Sequence, residues 1–313
     1  AVRSQSVEPG QVLLFSTVRN ETSRLPYFFE HYRRLGVGHF FIVDNGSTDG
    51  TAAFLAEQSD VSFWTTAASY KLARFGMDWL TSLQIRHGHG HWCLTVDADE
   101  LFIYPFHETR SLGDLTAWLE RNGQCTLGAL MLDLYPRGRL SEKTYIPGQD
   151  PTEILQWFDR GNYQQKYQRD LRNQLVRGGV RSRVFFAADP ARAPTLSKIP
   201  LVKWNRRYVY VSSTHSMLPT RLNGVRGEDV AQQTSGILLH TKFLHMVIEK
   251  AREDQHRRQH FENGELFRAY YDGLIADPDF WTPSSEKYAG WRQLEDLGLM
   301  SRGGWDEDPG AAE

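Results

Sequence analysis

Across the first 105 residues, short apolar runs alternate with stretches of helical length, and each apolar run ends in a polar loop. Few folds remain open to such a rhythm, because strands joined through helices form a parallel sheet with both faces covered. Val12–Val18, His39–Val43, Val61–Trp64 and His91–Val96 read as strands. Arg24–Leu35, with Pro26 in its first turn, Thr51–Gln58 and Leu72–Arg86 read as the intervening helices. The expected class is therefore α/β: a Rossmann-like, mostly parallel sheet flanked by helices.

Beyond this part the pattern loosens. Leu112–Arg121 reads as a helix and Thr126–Tyr135 as a strand, and residues 136–179 look like an insertion. Val180–Ala187, Arg207–Ser212 and Ile237–His240 read as strands, Phe243–Phe261 as a long polar-faced helix, and the tail after Trp281 as partly loose. Lys plus Arg number 36 against 38 Asp plus Glu, a balance that argues against a nucleic-acid partner. Two cysteines, Cys93 and Cys125, cannot build a disulfide framework and suit a reducing compartment. No apolar run approaches the ~20 residues of a membrane span, and no secretory pattern opens the chain.

Ligands of open α/β sheets bind at the carboxyl ends of strands. Three such ends carry acids here. The first strand runs into Thr17-Val18-Arg19-Asn20-Glu21, the second into a loop with Asp44 and Asp49, and the fourth into Asp97-Ala98-Asp99-Glu100. Two carboxylates leaving one buried strand, Asp97 and Asp99, suit Mg²⁺ or Mn²⁺, which bridge a diphosphate and offset its charge on departure. A pair of solvated acids in a turn is the plainer alternative.

The segments Ser16–Glu21, His31-Tyr32-x-x-Leu35-Gly36-Val37, Val43–Thr51 and Val96–Phe102 resemble nucleotide-sugar glycosyltransferases. The resemblance is to family 2-like bacterial enzymes of the GT-A fold and the related family 92. It covers residues 11–105 and resumes at Leu239-His240-Thr241-Lys242-Phe243-Leu244, which is similar to that family's C-terminal metal-binding histidine segment. The resemblance implies a nucleotide-sugar-binding half over residues 1–105, an acceptor-binding catalytic half over 106–262, and a C-terminal tail over 263–313. It implies that Thr17, Arg19, Asn20 and Glu21 line the nucleotide pocket and that Asp44, with Asp49 close by, contacts base or ribose. Asp97 would contact the diphosphate and the metal, Asp99 would be the more direct metal ligand, His240 would complete the shell, and Lys242 would reach a phosphate. The implied activity is inverting transfer of a sugar, from a UDP-sugar by default, to a glycan or lipid-linked acceptor in bacterial surface polysaccharide synthesis. The implied place is the cytoplasm, including the inner face of the cell membrane.

Inverting transfer needs a base at the acceptor hydroxyl. Asp133, a lone acid inside an apolar strand, is the first choice, because burial raises a carboxyl pKa. Pairing with an arginine from 169–183 would make it structural instead. Asp229, in Glu228-Asp229 eleven residues before His240, is the second choice. Arg74, in the helix before Asp97, is a further candidate for contact with the nucleotide-sugar donor. Lys198 and Arg183 are candidate phosphate or acceptor contacts, each against the plainer role of an exposed charge, and His215 is a cleft-facing residue or a cap. His87-x-His89-x-His91 lacks an acid or cysteine to complete a metal site and reads as a loop. From Arg160 to Arg183 there are seven cations against one acid, Asp170, a stretch fit for an anionic acceptor or a solvated face. A nucleotidyltransferase fits less well, since the first loop has no glycine. An aspartyl-phosphate phosphatase also fits less well, since Leu101 stands where Thr or Val is needed. A non-catalytic nucleotide-sugar or glycan-binding module is the third alternative.

Overall fold

The computed structural model describes residues 2–224, 233–257 and 268–305. The first part follows the expected rhythm: β1 (Val12–Val18), α1 (Leu25–Arg34), β2 (Val37–Asp44), α2 (Thr51–Glu57), β3 (Val61–Thr65), α3 (Met77–Leu83) and β4 (Trp92–Thr95). Then come β5 (Glu100–Ile103), α4 (Leu112–Arg121), β6 (Thr126–Asp133), β7 (Trp157–Asp159), β8 (Gln164–Gln168), β9 (Asn173–Arg177) and α5 (Gly179–Phe185). The chain continues through β10 (Ser197–Lys203), β11 (Val209–Tyr210), β12 (Met217–Leu218), β13 (Gly236–His240), α6 (Val247–Arg257), α7 (Arg268–Ile275), β14 (Ser285–Lys287) and α8 (Trp291–Asp296).

Among the described residues the main sheet has eight strands in the order β3-β2-β1-β4-β10-β6-β13-β5. Six run parallel, while β10 and β5 run against their neighbours. The fold is α/β and Rossmann-like. Successive residues of a strand point to opposite faces, and here both faces are buried. Val12, Leu14, Phe40 and Ile42 pack with α1, α2 and α4. Leu13, Phe15, Phe41 and Val43 pack on the other side with Met77, Leu80 and Leu83 of α3. Double burial is why these strands are near-continuous apolar runs.

Five expectations are corrected. Val180–Ala187 is not a strand: Gly179–Phe185 is helical, because Asn162 Oδ1 accepts the first helical N–H, that of Gly179, at 2.6 Å. The alternation of Val180, Ser182 and Val184 imitated a strand. The helix expected from Leu72 starts only at Met77, since Arg74, Phe75 and Gly76 hold φ of +48°, +58° and +77°. A β-carbon at Gly76 would stand 2.7 Å from Thr17 Oγ1, so the chain passes close under β1 there. Strand β10 was not expected, and its Pro200 sits in a register shift between Lys198 and Leu201, a place where a missing N–H is tolerated. The helix expected over Phe243–Phe261 begins at Val247, and residues 258–261 lie outside the described residues. The tail is packed through Trp305: Trp291 and Trp305 are buried, and β14 pairs with β7.

The loop reading of His87-x-His89-x-His91 holds only for its second half. His87 lies in a π-helical turn, Gln84–Gly88, that extends α3, and its ring stacks on Phe41. His89 and His91 lie in the turn before β4, where His91 Nδ1 meets the Gln11 carbonyl at 3.0 Å. His31 on α1 is buried and donates from Nε2 to the Phe102 carbonyl at 2.9 Å, tying α1 to β5. Burial pushes its imidazole down to about 4, and burial does the same to His215. Between that value and the ~6.5 of the unfolded chain, the unfolded state binds more protons, so stability falls as pH drops through this window. Each histidine should cost about 2 kcal/mol at pH 5 relative to pH 7.5. Chemical denaturation of His31→Gln, whose amide can still donate to Phe102, should give a visibly shallower pH slope. An unchanged slope would show that His31 is not a source of the acid sensitivity.

Candidate active site at the carboxyl ends of the strands

Strand register builds the site. Strand β13 runs parallel to β6 with His240 opposite Asp133, and antiparallel to β5 with His240 opposite Glu100. The turn leading into β5 is fastened to the end of β13, where Thr241 donates both its N–H (2.7 Å) and its hydroxyl (3.0 Å) to the Asp99 carbonyl. Residues far apart in the chain thus meet at one strand edge.

His240 lies between two carboxylates. Its Nδ1 is 2.5 Å from Asp133 Oδ1, and its Nε2 is 3.3 Å from Asp99 Oδ2. Arg181 on α5 binds the other oxygen of Asp133, Nε to Oδ2, at 2.8 Å. The row Arg181–Asp133–His240–Asp99 is buried at one end and reaches solvent at the other, with Asp133 2% and Asp99 22% exposed. Burial alone would lower the His240 imidazole, but Asp99 and Asp133 raise it above its ordinary value. Burial alone would raise Asp99, but His240, Arg24 and Lys242 hold it well below the usual carboxylate range.

Asp133 behaves differently from the sequence-based expectation. Burial does push it upward, yet Arg181 and His240 outweigh burial and leave it below its ordinary value. Both of its oxygens are engaged. The alternative of a partner among the arginines of 169–183 is what the structure contains.

Asp97 takes another direction. Its carboxylate is half exposed and bound by Lys198 Nζ at 3.0 Å, and the same ammonium contacts the fully buried Glu100. Burial pushes the Glu100 carboxyl up, and Lys198 opposes that rise. Among the described residues, no three His, Cys, Asp or Glu side chains form a ready metal cluster. Lys198 and Arg181 carry much of the site's positive charge, and neither was given a firm role from sequence. The signal was available for Lys198, because a lysine in Leu196–Val202 needs an acid partner if that run is a buried strand.

The first strand end is closely knit. Arg19 donates to the Asn45 and Gly46 carbonyls at 2.6 and 2.7 Å and to Glu253 of α6 at 3.2 Å. Asn20 takes φ +51° and accepts the Thr48 N–H at 2.8 Å. Glu21 is shared between Arg24, at 3.1 Å, and Lys250 of α6. Thr17 Oγ1 is buried without a partner. Asp44 is buried and accepts from Ser47, while Asp49 accepts from Thr51 and Thr22, so both acids hold their loop. Lys242 lies 5.9 Å from the Tyr270 ring, near enough to Asp99 to feel its charge. Arg74 is held by Asp78 at 2.6 Å and by the Tyr210 carbonyl at 3.0 Å. Arg183 is bound to Asp159 at 2.8 Å, and His215 Nδ1 meets the Ser197 carbonyl at 2.7 Å. Asp229 lies outside the described residues.

No family model and no curated protein matches the chain. Among solved structures it is similar to 4-diphosphocytidyl-2C-methyl-D-erythritol synthase, with 14% identity over 44% of this chain and a TM-score of 0.27. The match spans 65% of that structure's length, and a likeness so slight says nothing about activity. No described helix is long and apolar enough to cross a membrane.

Proposed function

We propose that this chain is an inverting, metal-dependent glycosyltransferase that takes a sugar from a nucleoside-diphosphate sugar, by default a UDP-sugar, to a glycan or lipid-linked acceptor. The observation that carries the reading is the row Asp133–His240–Asp99 at the carboxyl ends of β6, β13 and the turn before β5. A histidine whose Nδ1 is held by a carboxylate is oriented to offer Nε2 to an ion, which His240 would do on giving up the proton it shares with Asp99. Asp99 Oδ2 and His240 Nε2 are 3.3 Å apart, so both would be able to hold one divalent ion. Two protein donors fit Mg²⁺ or Mn²⁺, which keep other positions for water and substrate phosphates.

Asp99 and His240 would hold the ion, whose chemistry is to offset charge on the departing diphosphate. Lys242 adds a cation near enough to Asp99 to act on its charge, and Lys198 holds Asp97, two residues before it, at 3.0 Å. Thr17, Arg19, Asn20 and Glu21 are assigned to the nucleotide, although the Thr17 hydroxyl is itself covered by the Gly76 turn. Asp133 is assigned to positioning His240, which leaves Asp229 as the base. A cytoplasmic location belongs to the same proposal.

The first test is a thermal-shift panel of nucleoside diphosphates and their sugars, with and without Mn²⁺. A ligand that binds only the native state raises the melting temperature by mass action. One nucleotide series should give a shift that requires Mn²⁺. Silence from every nucleotide, with the protein folded, would overturn the reading.

A further inference from the structure

Strands β8 and β9 form a two-stranded hairpin in which β9 is fastened to the body through buried Asn173 and Val176, while β8 is the exposed outer strand. Lys166, Arg169 and Arg172 on it are exposed, Arg177 at its foot is half-buried, and Asp170 is the sole acid from 160 to 177. Among the described residues none of these four cations forms an ion pair, in contrast to Arg181 and Arg183 just beyond. Arg177 Nε is in addition buried without a hydrogen-bond partner. A chain with formal net charge −2 thus holds a group of positive charges that no described acid pairs, and such a group draws anions.

The hairpin also carries other recognition chemistry. Residues directly opposite on paired strands share a face. Gln164 opposite Arg177 and Lys166 opposite Leu175 set amide and cation on one face. Tyr167 opposite Gln174 sets an exposed ring on the other, with Gln174 bonded to Gln165 at 2.9 Å. Amides bond hydroxyls, a tyrosine ring covers an apolar sugar face, and guanidinium and ammonium groups pair with carboxylate, sulfate or phosphate. A lipid surface would use the cations but has no need of the amides that both faces of the hairpin carry.

The hairpin is fastened to the reaction centre. Asn162 bonds Gly179 at 2.6 Å, and the Tyr163 hydroxyl donates to the Asp159 carbonyl at 2.6 Å. A β-carbon at Gly178 would press to 2.5 Å from the Asn162 carbonyl oxygen, and one at Gly179 would lie 3.9 Å from Asp133 Oδ2. The foot of the hairpin is therefore one wall beside the histidine row.

Resting on the transferase reading, we propose that the acceptor is an anionic glycan chain, bound along the β8–β9 hairpin by Lys166, Arg169, Arg172 and Arg177. The test is affinity electrophoresis of the full chain in gels containing polygalacturonate, dextran sulfate, a phosphomannan or neutral dextran. Flotation with phosphatidylcholine vesicles containing phosphatidylglycerol runs beside it. The wild type should be retarded by at least one acidic polysaccharide and not by dextran. Binding should weaken at least tenfold in Lys166→Gln/Arg169→Gln/Arg172→Gln and should fade with added salt. The Mn²⁺-dependent nucleotide shift of that variant should match the wild type, which separates a lost acceptor surface from a lost fold. Retention by no acidic polysaccharide, retention equal in the variant, or binding to vesicles alone would overturn the proposal. A wild type that binds acidic glycan yet shows no nucleotide shift would overturn the transferase reading, and with it the acceptor role, leaving a glycan-binding hairpin.

Discussion

Asp99→Ala should abolish the Mn²⁺-dependent part of nucleotide binding while the protein still folds cooperatively. The carboxylate is at the solvent end of its row, 22% exposed, so its removal leaves no sealed cavity. It does remove one of the two donors proposed to hold the ion, and the remaining imidazole alone is a poor site for Mg²⁺ or Mn²⁺. A nucleotide at a hundredfold excess over its Kd stabilises the native state by about 2.7 kcal/mol. The wild type should thus gain several degrees in melting temperature with nucleotide and Mn²⁺, and Asp99→Ala should gain none. A preserved Mn²⁺-dependent shift would remove Asp99 from the metal site and, with it, the argument that the strand-edge row is catalytic.

The fold was legible in the sequence where burial was symmetric. Strands β1 to β4, buried on both faces, wrote themselves as apolar runs, and the glycines and proline around α1 marked its ends. Legibility failed where a partner distant in the chain decides the conformation. Val180–Ala187 alternates like a strand, yet the Asn162 side chain supplies the bond that starts a helix there. Pro200 hides β10, because only the register shift against β6 makes room for it. The site divides in the same way. Asp99, His240 and Asp133 could each be picked out, and the parallel register of β6 and β13 brings the last two together. The sign of the Asp133 shift could not be read, because burial is visible in an apolar run while Arg181, 48 residues away, is not.

Arg181 and Asp133 supply the second large effect. Both are almost fully buried, 7% and 2% exposed, and joined at 2.8 Å. Removing one partner of a buried ion pair strands the other charge, which typically costs about 3–5 kcal/mol. Arg181→Met should fall near the lower end, because Asp133 keeps its bond to His240. Asp133→Asn strands Arg181 instead and deprives His240 of a charged orienting acceptor, so Mn²⁺ affinity should drop roughly 10–100-fold. The double variant removes both charges, and its loss in denaturant titrations should be smaller than the sum of the single losses by more than about 1 kcal/mol. Arg181→Met at wild-type stability would mean that the pair is not what holds α5 against β6. Asp133→Asn with wild-type Mn²⁺ and nucleotide binding but no sugar transfer would return Asp133 to the role of base. With reduced metal affinity instead, Asp133 acts through His240, and the proton of the acceptor hydroxyl must go to another acid.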